Sequence, residues 1–410
     1  MDVSALLRKL DDAIRPERLM ATAWDLVNIP SPTGETEAVT ACYADMYRKA
    51  GLDVHVSNTV PNAPNMAAYL AGNGDGRTLH FDGHADVIGR VDTLPDGSTN
   101  VVPIPHPDPR IENDVLYGRG AADMKGGLAI MLEAARCFAE VGFPFSGRLL
   151  FTTHGWHEAP LGYAQGVKAL IADGHVGDAT LVAEGAPDLI AIAGRGMAIY
   201  TVSVTRPGDV QHENSTAAAT PNPLIAAGRL LGEIEALRQE LSLREHDLLR
   251  PETIFVGQTH GGDFYNRFPN AAMIMGTRRW HPANTFEGVR DELRTRLEGV
   301  AAAEYVEIDI DWQLVRPSYE IPADAPIIAA AQTAFRHVKG VEPEIRGYPS
   351  VGDAATFARE GGSDALWFGP NGHGAHSDLE SLALDEMVDR TRMFFAATVA
   401  YFSGSDAAPR

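Results

Sequence analysis

The chain has 410 residues, 45% hydrophobic and 22% charged, which is ordinary globular composition and long enough for about two or three domains. A formal net charge of −21 argues against a nucleic-acid partner, because binding a phosphate backbone needs clustered Lys and Arg. There are only two cysteines, Cys42 and Cys137, both in helix-like stretches; they read as unpaired thiols of a reducing, cytoplasmic compartment.

The first segment, "MDVSALLRKLDDAIRP", is amphipathic and of mixed charge, without the basic and apolar regions of a signal peptide. No run of about 18 apolar residues occurs anywhere, so no membrane span is expected. "RLMATAWDLVNIPSPTGE" predicts a helix stopped by Pro30 and Pro32. A helix, a stop at Gly51 and a strand follow in "ETEAVTACYADMYRKAGLDVHV". "RTLHFDGHADVI" predicts a strand and loop, "DMKGGLAIMLEAARCFAEVG" a helix ending at Gly142, and "GRLLFTT" a strand. "GYAQGVKALIADG" and "DATLVAEG" add a helix and a strand. Strands alternating with helices of this length imply a layered α/β sheet.

Near Gly196 the pattern changes. "GMAIYTVSVT", "ETIFVGQTHGG", "AAMIMGTRRWHP" and "YVEIDIDWQLV" are strands, the first and last strongly alternating. They interleave with the helical "NPLIAAGRLLGEIEALRQEL" and "TFEGVRDELRTRLEGVAAAE". This suits a small open α+β sheet with helices on one side, placed at 197–313. After Pro317 the first style returns, so the outer domain is read as discontinuous, 1–196 with 314–410.

Candidate chemistry collects at the ends of the outer-domain strands. "TLHFDGHAD" delivers His84 and Asp86, "FTTHGWHE" His157 and Glu158, "TLVAE" Glu184, and "ALWFGPNGHGAH" His373 and His376. In open α/β sheets ligands bind outside the carboxyl ends of strands, so these donors face one rim. Asp123 precedes a helix start in "GRGAADMKGG". Histidines and carboxylates without thiolates suit zinc, cobalt or manganese. The set exceeds what one zinc needs, and two ions sharing a carboxylate would use it fully.

On these blocks the chain resembles the co-catalytic metallopeptidase family of aminoacylase, glutamate carboxypeptidase and succinyl-diaminopimelate desuccinylase. The likeness runs from "LVNIPSPTGE" through "GHADV", "YGRGAADMKGG", "GDATLVAEG" and "GGDFYNRFPN" to "FGPNGHGAHSDLE". It implies a discontinuous dinuclear-metal hydrolase domain, with a mixed sheet between helices, and an inserted α+β lid and dimerisation domain. It implies that His84 and Glu184 hold one ion, Glu158 and His376 the second, and Asp123 both. Asp86 would orient His84, and a cis peptide would join Asp123 to Met124. His212 would reach a partner's site and steady the oxyanion, while Asn266 and Arg279, with Arg278 as rival, would grip a substrate carboxylate. The implied reaction is attack of a metal-bridging hydroxide on the amide of a small N-acyl amino acid or dipeptide, in a homodimer with two zinc ions, or cobalt or manganese.

One block departs from the family. Two adjacent glutamates, a general base and a metal ligand, normally follow the strand "GRLLFTT"; here the corresponding positions are Gly155 and Trp156, and a polar pair comes two residues later as His157-Glu158. Either Glu158 is the ligand and His157 the base, or Glu158 is the base and His154 or His157 binds metal. A catalytically silent metal-binding relative, acting as a small-molecule binding module, is the alternative that this departure opens.

Overall fold

The structure is a computed structural model and describes residues 2–93, 99–102, 108–185 and 188–404. Contacts divide the chain into two units. One comprises Met1–Ile192, Ile321–Arg346 and Gly352–Arg410; the other comprises Ala193–Glu320 and Gly347–Val351. The second unit thus extends beyond the 197–313 span read from the sequence, and takes in a short return at 347–351.

The first unit is built on a six-stranded sheet in the order Asp53–Ser57, Asn65–Ala71, Arg148–His154, Thr78–His84, Ala179–Gly185, Asp364–Gly369. The last four strands run parallel, and Asn65–Ala71 pairs antiparallel with both its neighbours, so the sheet is mixed. Thr78–His84 is buried at every position, as a central strand covered on both faces must be. Its Phe81 stacks on Phe151 at 5.0 Å and meets Phe394 of the helix Leu384–Ser403 at 5.2 Å. Apolar contact of this kind between sheet and helices is the main stabilising term.

The helix Lys125–Val141 begins two residues after Asp123 and ends at Gly142, whose φ of 63° provides the left-handed C-cap. It approaches the sheet very closely. A Cβ on Gly127 would lie 2.0 Å from the carbonyl oxygen of Ala183, so only glycine lets the helix start beside the end of Ala179–Gly185. That approach places Asp123 and Glu184 at one rim.

The second unit carries a four-stranded antiparallel sheet ordered Thr253–Gly261, Ala271–Trp280, Gly196–Thr205, Glu307–Arg316. Burial along Gly196–Thr205 alternates strictly over its whole length, the signature of one covered face. The covering helices are Pro223–Leu241, capped by Asn222, and Phe286–Ala303, capped by Thr285. Tyr200, Val202, Ile274, Leu230, Leu237 and Leu297 form the core between them. Among the described residues, no helix is long and apolar enough to cross a membrane.

Candidate metal centre

Four parallel strands deliver their carboxyl ends to one place. His84 closes Thr78–His84, and His154 closes Arg148–His154 ahead of the loop carrying His157 and Glu158. Glu184 stands next to the end of its strand, and His376 lies in the loop after Asp364–Gly369. Asp123 joins them from the helix start, and its peptide to Met124 is cis, as the resemblance implied.

Asp123 stands between two imidazoles. Its Oδ1 is 3.1 Å from Nε2 of His84, and its Oδ2 is 3.1 Å from Nε2 of His376. Glu158 Oε1 lies 3.2 Å from the same His376 nitrogen. Yet that buried oxygen accepts no hydrogen bond, and neither does Oε2 of Glu184. Among the described residues three groupings of donor atoms have the compactness of a metal site: His84, Asp123 and Glu158; His84, His157 and Glu184; and Asp82, His154 and Asp353.

The electrostatics point the same way. Burial pushes His84 toward neutrality, but its contact with Asp123, with Asp86 and Glu184 behind, raises it well above its ordinary value. Asp123 and Glu158 push His376 up to about 10. Asp123 is opposed by burial and still held well below the carboxylate range by His376 and His84. Glu184 is raised well above that range, by burial first and then by the charge of Asp123. Crowded carboxylates that compete for two imidazoles, with buried oxygens lacking donors, form a set that divalent cations would complete. The residues present therefore fit two ions.

Asp86 differs from expectation. His84 Nδ1 donates to the backbone carbonyl of Asp86 at 2.9 Å, while the Asp86 carboxylate is 3.8 Å away. The carboxylate instead accepts from the backbone N–H groups of His157 and Glu158 and from the Thr33 hydroxyl, each at 3.0 Å. It fixes the loop, and the main chain fixes His84.

His157 stacks on His84 with ring centroids 3.9 Å apart and planes 5° apart. Its Nε2 is 3.9 Å from Glu184 Oε1, and its Nδ1 is 2.5 Å from Oδ2 of Asp353. His154 lies apart from the centre, fully buried, with Nε2 3.3 Å from both Asp82 and Asp353. The backbone of His373 pairs with Ser381.

Sequence reasoning missed Asp82, Asp353 and Glu380. Glu380 Oε1 accepts the backbone N–H groups of Ala122 and Asp123 at 2.9 Å each and so holds the turn before the helix. The available signal for Asp82 was a carboxylate inside a strand otherwise suited to full burial.

In the second unit, His212 and Asn266 come together across paired short strands, with His212 Nε2 3.2 Å from Asn266 Nδ2. His212 Nδ1 accepts the backbone N–H of Asn214. Arg278 is fully buried and bonded to Glu252 at 2.6 Å and Glu292 at 3.1 Å. Arg279 points to the other face, as alternation along a strand requires. A buried nitrogen of its guanidinium, Nη1, has no hydrogen-bond partner.

The sequence pattern of peptidase family M20/M25/M40 matches residues 88–399, and the chain belongs to that family of hydrolases. It is similar to a succinyl-diaminopimelate desuccinylase from Methylobacterium radiotolerans, 28% identical over 406 residues, with 95% of this chain and 98% of that one covered. Among solved structures it shares its fold with the aminopeptidase PepT from Bacillus cereus, at a TM-score of 0.77 and 19% identity, covering 95% of this chain and 99% of that one. The YxeP protein of Bacillus subtilis, described as a dinuclear metal binding peptidase, matches at a TM-score of 0.69 and 17% identity, covering 95% and 98%.

Proposed function

We propose that the chain uses two divalent ions, zinc foremost with cobalt or manganese as alternatives, to hydrolyse the amide bond of a small N-acyl amino acid or dipeptide bearing a carboxylate. The observation carrying this reading is Asp123, flanked at 3.1 Å by His84 and by His376. His84 and Glu184 would complete one ion's set, Glu158 and His376 the other's. Two such ions would polarise the scissile carbonyl and acidify water to near neutrality. The desuccinylase relative, by its name, acts on an acylated amino acid, which supports the substrate class.

The remaining roles belong to the chain's own residues. Glu158 lies beside Asp123 and His376, which supports it as a ligand. His154 is engaged by Asp82 and Asp353, which argues for a supporting role rather than a place beside His84 and Asp123. His157, held at Nδ1 by Asp353, would accept a proton from the attacking water at Nε2 and return it to the leaving nitrogen. The displaced glutamate pair opened the silent alternative; membership of the peptidase family and likeness to a desuccinylase argue for an active enzyme. His212 would donate Nε2–H to the developing oxyanion of a partner's site. Asn266 and the unpartnered Arg279 nitrogen would grip the substrate carboxylate.

Dimerisation through the second unit is supported by its edge strand Thr253–Gly261, where Phe255 is 62% exposed. Two unpaired cysteines support the cytoplasm as its compartment. A screen of N-acyl amino acids and dipeptides with added zinc, cobalt or manganese tests the function. Metal-dependent release of free amine, lost in His157→Ala, is expected; a protein that binds metal yet releases no amine from any of them would be the silent relative.

A further inference from the structure

His157 does not stand alone. Behind it runs a buried chain of side chains from three separate elements: Asp82 inside the strand Thr78–His84, His154 at the end of Arg148–His154, and Asp353 at the start of the helix Asp353–Arg359. All three are fully buried. Asp353 Oδ2 is shared, 2.5 Å from His157 Nδ1 and 3.3 Å from His154 Nε2. The other side of His154 Nε2 faces Asp82 Oδ2 at 3.3 Å, and Asp82 Oδ1 also accepts the Thr152 hydroxyl at 2.5 Å.

We infer that Asp353, braced by His154 and Asp82, is the positioning residue of this centre: it accepts Nδ1–H of His157 and so keeps the lone pair of Nε2 turned to the metal pocket. The inference rests on the proton-accepting role given to His157 above. An imidazole serves as a base only in the tautomer whose outward nitrogen is bare, and a carboxylate at the other nitrogen selects that tautomer because it can accept but not donate. The ring plane is fixed as well, since His157 is held between the Asp353 bond on its edge and the His84 ring on its face. No such support is needed by a glutamate base, which has no tautomer to choose.

The histidine of the trio is opposed by burial yet pushed up to about 10 by Asp82 and Asp353. The bracing by His154 keeps Asp353 from being a lone buried anion, whose desolvation would be severe.

The test reads the ring directly. Full-length protein labelled with ¹⁵N-histidine, metal-free and zinc-loaded, is compared with Asp353→Asn and Asp353→Glu, and the His157 resonances are assigned by their loss in His157→Gln. The wild type is expected to show His157 protonated at Nδ1 in a strong hydrogen bond and bare at Nε2. D353N, whose amide can donate, is expected to move the proton to Nε2 and lower kcat on the order of 10³- to 10⁴-fold with KM little changed. D353E, which keeps the charge, is expected to restore the Nδ1–H tautomer and part of kcat. Nε2–H in the wild type, or an unaltered tautomer and kcat in D353N, would overturn the inference. Zinc bound at Nε2 with Nδ1 still protonated would uphold Asp353 as positioning residue and remove the proton-accepting role from His157. The wild-type measurement stands even if D353N does not fold, and it needs no substrate.

Discussion

Asp86 Oδ2 accepts the backbone N–H of Glu158 at 3.0 Å, so the residue two positions after His84 anchors the loop that presents Glu158. The same oxygen holds the backbone of His157 and the hydroxyl of Thr33. Asp86 is fully buried, and its removal leaves the buried N–H of Glu158 and the part-buried N–H of His157 without acceptors, the former at a cost of about 1–3 kcal/mol. Asp86→Ala is therefore expected to weaken metal binding by about 10- to 100-fold, as loss of a supporting partner does, and to lower kcat. Asp86→Asn, which keeps one acceptor oxygen, should fall less. Metal titration by calorimetry checks this, and unchanged affinity in Asp86→Ala would separate the loop's geometry from the centre.

The two neighbouring arginines of the second unit should fail in different ways. Arg278→Ala removes one charged partner of the fully buried Glu252, which keeps Arg244, the His281 N–H and Asn284; the loss of a charged hydrogen bond costs about 1.5–3 kcal/mol. It should show up in the urea midpoint. Arg279→Ala removes a guanidinium with a buried nitrogen lacking a hydrogen-bond partner, and should leave the midpoint nearly unchanged. Its effect should be a KM for carboxylate-bearing substrates raised by about 10- to 100-fold, the worth of a hydrogen bond to a charged group. An Arg279→Ala protein with unaltered KM would take the substrate carboxylate elsewhere.

Acid stability should report on His80, which lies fully buried in the strand Thr78–His84 with Nε2 2.6 Å from the Thr152 hydroxyl and Nδ1 3.1 Å from that of Thr180. Burial lowers its pKa from 6.5 to about 4, against the opposing charge of Asp82. Between those values the unfolded chain takes up a proton that the folded chain refuses. The contribution is thus fully present above pH 6.5 and is lost as pH falls toward 4, reaching about 3 kcal/mol at most. His80→Gln is expected to be less stable than the wild type at pH 7 and to lose less of its stability down to pH 5. Urea unfolding at the two pH values measures the difference, and equal slopes would place the acid sensitivity in other groups.

Much of the centre was legible in the sequence because each donor sits at the carboxyl end of a strand, or beside a helix start, whose local pattern is clear. "HFDGHAD" and "TLVAE" are strands by composition, and parallel strands of one sheet must bring their ends to one rim. Asp353 was not legible. It lies 196 residues beyond His157, past the whole inserted unit, and nothing in "SVGDAATFA" distinguishes it from a helix-capping aspartate. The resemblance implied that Asp86 orients His84; it is the Asp86 carbonyl that reaches the ring, at 2.9 Å. For Arg278 and Arg279, alternation says that they face opposite ways but not which way is inward. The position of Glu252 settles that, and only the fold supplies it.

The most direct test of the account is metal content measured together with turnover. Elemental analysis of protein supplied with zinc is predicted to find two ions per chain. Exhaustive chelation should abolish amide hydrolysis, and zinc, cobalt or manganese should restore it. Glu184→Gln should bind fewer ions than the wild type, because it removes the charge of one set. Protein that takes up no divalent ions, or that hydrolyses amides undiminished after chelation, would contradict the account.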